Sequence, residues 1–226
     1  MDNNTLIKDG VGNQFNLRSK DLYPDSSLRR SMVYATAYPA DYGDAGGSFM
    51  TRIRATSMPA GVAAAAPILD FRFASPTNFA LIRRVRFAFW SLGTGFAAGI
   101  ATFQIFVARN FTIDDTGGNL AAIASNTGKL RTSMQPSTST VRYSDTGVLT
   151  AGSRTLDAQP IEGIDTAVPT TTNTQILNRS DLFDPDTHEH PLVLSNLEGF
   201  IIQATVPATG VWGYGSTIIW DEVPWY

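Results

Sequence analysis

There is no cysteine among the 226 residues of this chain. Thiol catalysis, disulfide bonds and cysteine metal sites are excluded together. Lysine is scarce too: Lys8, Lys20 and Lys129 are the whole supply, and the other basic residues are arginine. Arginine's planar fork and weak hydration suit buried or interfacial pairing. Charged residues make up only 16% of the chain, against about a quarter in ordinary domains. The net charge of -3 gives no general pull toward nucleic acid or anionic membrane. No apolar run is long enough to span a bilayer as a helix. The opening "MDNNTLIKDGVGNQ" is polar and lacks the apolar core of a signal peptide.

What is present is a chain 43% hydrophobic, enough for a core, with Ser, Thr, Asn and Gly left to cover the surface. Its length allows one large β domain or two small ones. Residues 1–47 hold few strand-length patterns. Asp9-Gly10 and Gly12-Asn13 mark a turn between "TLIK" and "QFNL", which reads as a small hairpin. The remainder of that segment, rich in Tyr, Pro, Asp and Gly, reads as an extended arm. Tyr23, Tyr34, Tyr38 and Tyr42 are its candidate anchors on a neighbour, because tyrosine offers much contact area for little entropy.

From residue 48 the pattern is β. "SFMTRIRATS" sets Phe49, Thr51, Ile53 and Ala55 against Met50, Arg52 and Arg54. "PILDFRFAS" alternates Leu69, Phe71 and Phe73 with Ile68, Asp70 and Arg72. "FALIRRVRFAFWSL" places Phe79, Leu81, Val85, Phe87 and Phe89 on one face, Ile82, Arg84, Arg86 and Trp90 on the other, with Arg83 breaking the apolar side. Such alternation predicts strands with one buried face. Residues 112–190 read as long polar loops and weak strands, with "LAAIAS" able to form a helical turn. Near the end, residues 199–206 and 215–220 alternate around Pro207-Ala208-Thr209-Gly210. They read as a hairpin of paired antiparallel strands, with Phe200 and Ile202 inside. Trp212 and Tyr214, near its tip, and Trp225 are candidate contact residues.

Little here is reactive. "GTGFAAG" (93–99) is the nearest approach to a nucleotide loop, but its third glycine falls one residue late for the dinucleotide fingerprint. Phe96, Ile100, Phe103 and Val107 would share a helix face, yet "FQIFV" favours a strand. "DPDTHEH" (184–190) contains both histidines. His188 and His190, with Asp184 and Asp186, are weak metal candidates; an exposed polar loop is the simpler reading. Arg83, Arg84 and Arg86 read as ion-pairing residues or a solvated strand face before a phosphate site. No nucleophile–base motif is recognisable, so no enzyme activity, cofactor or resident metal is expected.

Several stretches, in this order, resemble a family of tailed-bacteriophage virion structural proteins: "IKDGVGNQFNL", "RRVRFAFWSLGTGFAAG", "FVARNFTIDDTGG", "NTGKLRTSM", "LTAGSRTLDAQPI" and "HPLVLSNLEGFIIQATVPATGVWGYGSTIIWDEV". The pieces run from residue 7 to residue 223. The resemblance implies a component of the virion. The role expected is a head decoration or cement protein that bridges capsid proteins through arms and loops. It would be homo-oligomeric, with a trimer favoured, and bind major capsid protein or other virion proteins, without nucleic acid or membrane. A tail, neck, baseplate or fibre-anchoring part is the alternative. A carbohydrate-binding module stacking sugars on Trp212, Tyr214 and Trp225 is another, and a glycan-cleaving enzyme a third. The fold expected is all-β: an antiparallel β-sandwich over residues 48–226, with the jelly roll among its possible arrangements, preceded by an N-terminal arm.

Overall fold

The computed structural model describes residues 3–8, 14–19, 47–59, 61–62, 65–92, 95–123, 128–130, 136–168, 170, 177–184 and 190–224, with 3–8, 14–19 and 177–179 as backbone. The chain divides into two units, Met1–Tyr42 and Gly43–Tyr226. In the first, β1 (Asn3–Lys8) and β2 (Gln14–Ser19) pair antiparallel, Asn3 opposite Ser19 and Lys8 opposite Gln14.

The second unit contains β3 (Gly47–Met58), β4 (Ala66–Phe73), β5 (Phe79–Ser91), β6 (Ile100–Ile113), β7 (Asn119–Leu120), β8 (Ser139–Tyr143) and β9 (Ser153–Leu156). It continues with β10 (Glu162–Ala167), β11 (Leu177–Phe183), β12 (Leu192–Leu194), β13 (Glu198–Thr205) and β14 (Trp212–Val223). Among the described residues there is no helix. The helical options at 96–107 and 120–125 therefore fail where they are described: β6 occupies the first, and residues 121–123 of the second are not helical. β-branched and aromatic side chains in β6 gain more from a pleated, buried surface than from a helix.

Two antiparallel sheets face each other. One runs β11-β5-β14-β3, with β12 also on β5; the other runs β10-β6-β13-β4-β8-β7, with β9 also on β6. Taken in chain order, β3, β4, β5, β6, β10, β11, β13 and β14 occupy the sheets as first-eighth-third-sixth and second-seventh-fourth-fifth. That is the jelly-roll order, two Greek keys folded on each other.

The last two strands are therefore not a hairpin. β13 lies between β4 and β6 in one sheet, and β14 between β3 and β5 in the other. Period-two alternation tells that each strand buries a face; it is silent on which neighbour each strand pairs with. The link at 206–211 crosses between sheets, which stack about 10 Å apart. Neighbouring loops hold it. Val206 N donates to Val62 O (2.8 Å), Ala97 N to Ala208 O (2.8 Å) and Leu92 N to Val211 O (2.8 Å). Gly210 fits there because any Cβ would overlap the Phe96 ring.

The core between the sheets is aromatic. Phe71 and Phe200 stack at 5.1 Å within one sheet. Phe103 meets Phe87 (4.7 Å), Phe89 (5.1 Å) and Trp212 (5.7 Å) across the gap. Phe71 meets Trp220 edge-on at 5.2 Å. Phe200 and Ile202 are fully buried, as their alternation requires. On the opposite face of β13, Ile201 is buried as well, in a second cluster with Ala108 and Phe111 and against Leu156. The chain after β6 covers that face, so this sheet is buried on both sides there.

β5 departs from simple alternation. Its register against β14 slips between the pairs Ile219–Arg84 and Trp220–Ile82, leaving Arg83 as the extra residue of a β-bulge. The slip exchanges faces. Ile82 and Ala80, rather than Phe79 and Leu81, enter the core cluster. Arg83 is turned out to Asp221, its Nε 2.7 Å from Oδ2. The arginine that interrupts the apolar pattern is the bulge itself.

Candidate functional site

Trp212 and Tyr214 are core residues, which removes them from the contact candidates. Both are fully buried. Trp212 Nε1 donates to Pro59 O at 2.7 Å. The Tyr214 hydroxyl lies 2.7 Å from Ile68 O and 2.8 Å from Ser144 O, sharing its proton between them. Burial raises its pKa well above the ordinary value. A large aromatic with a polar tip is useful in a core when a backbone acceptor is within reach, and here two carbonyls of the facing sheet's side supply it. Tyr23, Tyr34, Tyr38, Tyr42 and Trp225 lie outside the described residues.

The histidine segment is described only at its ends. Asp184 is buried and pairs with Arg84 at 2.7 Å. His190 is exposed, with Nδ1 2.7 Å from Pro191 O. Asp186 and His188 lie outside the described residues. No group of three potential metal ligands occurs among the described residues. The arginines of β5 each meet a carboxylate: Arg83 with Asp221, Arg84 with Asp184, and Arg86 with Asp181 at 3.3 Å.

A denser polar cluster lies on the outer side of the β4–β8 sheet. Asp70, on β4, is fully buried. Its Oδ1 accepts from Arg142 N (2.8 Å) and its Oδ2 from Asp115 N (3.1 Å). Burial raises its pKa to about 7, with the Asp114 charge adding to the rise, against the lowering pull of the Arg142 N–H and of Arg154 and Arg142. Asp115 is also fully buried; it accepts from Gly152 N (2.9 Å) and pairs with Arg154. Arg154 in turn lies over the Phe111 ring, 5.3 Å from its centroid. Asp114 accepts from Arg72 and from Thr140 Oγ1 (2.9 Å). Its burial pushes the carboxyl up, but the Arg72 and Thr140 hydrogen bonds with the Arg72 and Arg142 charges hold it below the usual range. These carboxylates fasten the chain after β6 to the sheet. Asp70 has a backbone donor on each oxygen and no exposure, so no substrate can reach it.

The face with open chemistry is the outer side of β3, β14 and β5. An open trough of about 780 Å³ runs along it, lined among others by Arg52, Arg54, Arg86, Trp90, Thr217 and Met50. Register explains its shape. Arg54, Gly215 and Ala88 form one row across the three strands, and Arg52, Thr217 and Arg86 the next. The middle strand gives a low floor, because Gly213 and Gly215 have no side chains. The Trp90 indole fills the space: a Cβ on Gly213 would stand 2.6 Å from its Cε2, and one on Gly215 3.5 Å from its Cζ3. The Arg54 guanidinium lies 5.5 Å from the Trp90 ring centroid. Sequence alternation puts Arg52, Arg54 and Trp90 on an outward face without marking that face as a site. The readable signal is "WGYGS", where two glycines on one face of a strand announce a close approach by something else.

No protein-family model matches the chain, and no curated protein matches it.

Proposed function

We propose that this chain is a structural component of a bacteriophage virion, acting as a capsid decoration or cement protein. The observation that carries the reading is the strand order of the two sheets, a jelly roll, an architecture recurrent in viral capsid and lectin domains. The ordered motifs that resemble those of phage virion proteins narrow it. The role is mechanical: contacts with major capsid protein or other virion proteins bury surface and stabilise the shell by linkage. The protein would act as a homo-oligomer, a trimer being favoured, with the N-terminal residues 1–47 as a bridging arm and the β3–β14–β5 trough as a contact face. No catalytic step is part of this role.

The test is copy number in purified particles, measured against the major capsid protein. A decoration protein on a closed symmetric shell is expected at roughly hundreds of copies. A few copies would move the chain to a tail, neck or baseplate position, and absence from particles would end the virion reading.

A second reading has one observation in its favour. Trp90, half-buried and flanked by Arg54, resembles a platform for a saccharide ring. Under it the chain is a carbohydrate-binding module, with Trp90 in the place expected of Trp212, Tyr214 and Trp225. Binding to a glycan array that is lost in Trp90→Ala would favour it.

A further inference from the structure

The trough carries positive charge that no carboxylate among the described residues neutralises. Arg52 and Arg54 are exposed and stand two residues apart on β3. No ion pair reaches either among the described residues, whereas Arg83, Arg84 and Arg86 on β5 each meet an aspartate. Among the described residues no Asp or Glu lines the trough. In a chain of net charge -3, unpaired cations gathered on one face favour an anionic partner.

The geometry narrows the chemistry of that partner. Side chains two residues apart on a strand repeat every ~7 Å. Alternate residues of any extended chain laid along β3 repeat at the same interval. The floor beside the arginines is low, being Gly215, Ala88 and Thr217. The two ends of the trough are apolar: Met50 at one, 40% exposed, and Leu92 beyond Trp90 at the other, 39% exposed. Met, Trp and Arg are the residue types enriched at protein–protein contacts. A saccharide would use Trp90 and the arginines but leave Met50 and Leu92 in water.

We propose that the β3–β14–β5 trough docks an extended acidic segment of a partner protein, with alternate carboxylates on Arg52 and Arg54 and apolar side chains against Met50 and Leu92. This rests on the reading of the chain as a virion contact protein and names the chemistry of one contact. The pairs are solvent-accessible, so the affinity is modest and falls with salt.

The test uses the full chain and fluorescent probe peptides of about eight residues, long enough to run the length of the strand face. One carries glutamates at alternate positions among Thr and Val. A second has the same composition with its glutamates adjacent, and a third has lysine for glutamate. The alternating peptide is expected to bind best and the lysine peptide not at all. Arg52→Glu with Arg54→Glu should weaken the alternating peptide about tenfold or more, with an unchanged melting temperature because both residues are exposed. Arg109→Glu, on the other sheet, serves as the control and should leave binding unchanged. Equal binding of the alternating and adjacent peptides, an unaffected double variant, or binding of polygalacturonate in place of the peptide would each overturn the proposal. Particle copy number is scored separately. Failure of peptide binding with the chain present in particles removes only the docking inference, while absence from particles removes the virion reading.

Discussion

The indole of Trp90 lies where a side chain at Gly213 would have to be. The two residues face each other in the β5–β14 register, and a Cβ on Gly213 would also come within 2.7 Å of Ala55 O. Backbone on one side and a large ring on the other leave no direction for relief. Gly213→Ala should cost about 1–3 kcal/mol by overpacking and displace Trp90. Gly215→Ala, whose nearest neighbours stand at 3.4 Å and beyond, should be tolerated. Thermal melts of the two variants, with Trp90→Phe in each background, would check this. Equal stability of the two alanine variants would show that Trp90 does not define the floor of the trough.

Phe200 and Trp212 sit in opposite sheets, and both are fully buried in one core cluster. Phe200→Ala removes a ring stacked on Phe71 and should cost about 3–5 kcal/mol. Trp212→Ala should cost a similar amount, since it removes contacts with Phe89 and Phe103 and the bond to Pro59 O. Urea unfolding of each variant gives the measurement. A Trp212→Ala protein of normal stability but weakened assembly would return that residue to the contact surface.

Strand positions in this chain are legible because alternation is a local property. Phe49, Ile53, Phe71, Phe87 and Phe200 point inward where their period places them. Pairing is a different matter. Which sheet β13 or β14 joins depends on partners far away in the sequence, and nothing local records it. The Arg83 bulge was visible as an interruption, though not as a change of face, since a one-residue slip has meaning only against a partner strand. Residues 112–190 read as long polar loops and weak strands, exposed rather than core. Asp115 within them is instead fully buried, its N–H on Asp70 Oδ2 and its carboxylate on Gly152 N and Arg154, a pairing that composition cannot show. The trough was missed for the opposite reason: its residues are ordinary for an outward face, and only the glycines of β14 set it apart.

Asp70 gives a pH dependence with a defined sign. Its folded pKa is about 7, raised from 3.8, so the folded state binds a proton that the unfolded state has released. Its contribution to stability is fully present below about 3.8 and is lost as pH rises through about 7. Asp114 runs the other way: its carboxyl is held below the usual range, so its contribution is present at neutral pH and lost as pH falls through that lowered value. Melting temperatures of the wild type should therefore decline between 3.8 and about 7 on the pH scale relative to Asp70→Asn, which cannot ionise. The variant also leaves Asp115 N or Arg142 N facing an amide N–H, so it should be the less stable protein at the acid end. Parallel curves for the two proteins would mean that Asp70 does not titrate in this range.

Glu222 provides the last prediction, because it joins the two sheets through a buried carboxylate without a cationic partner among its hydrogen bonds. It stands on β14, 2% exposed. Its oxygens accept from Ser137 Oγ, Ser139 Oγ (3.2 Å), Thr138 Oγ1 (3.2 Å) and Thr138 N, all at the entry to β8 in the other sheet, and from Trp220 Nε1 (3.2 Å). Both oxygens act only as acceptors, and every neighbour is a donor. Glu222→Gln keeps the shape but turns an N–H₂ toward Thr138 Oγ1, whose hydroxyl must then accept, and leaves Thr138 N one acceptor in place of two. The expected cost is about 1–3 kcal/mol, and Glu222→Ala should cost more, since it strands all of the donors. Hydrogen exchange separates this from a general loss of stability. Thr138 N should exchange faster in Glu222→Gln, while the amide of Ala121, held by Val141 O at 2.8 Å, should keep its protection. Unchanged exchange at Thr138 together with unchanged melting would show that the carboxylate does not tie the β8 edge to β14.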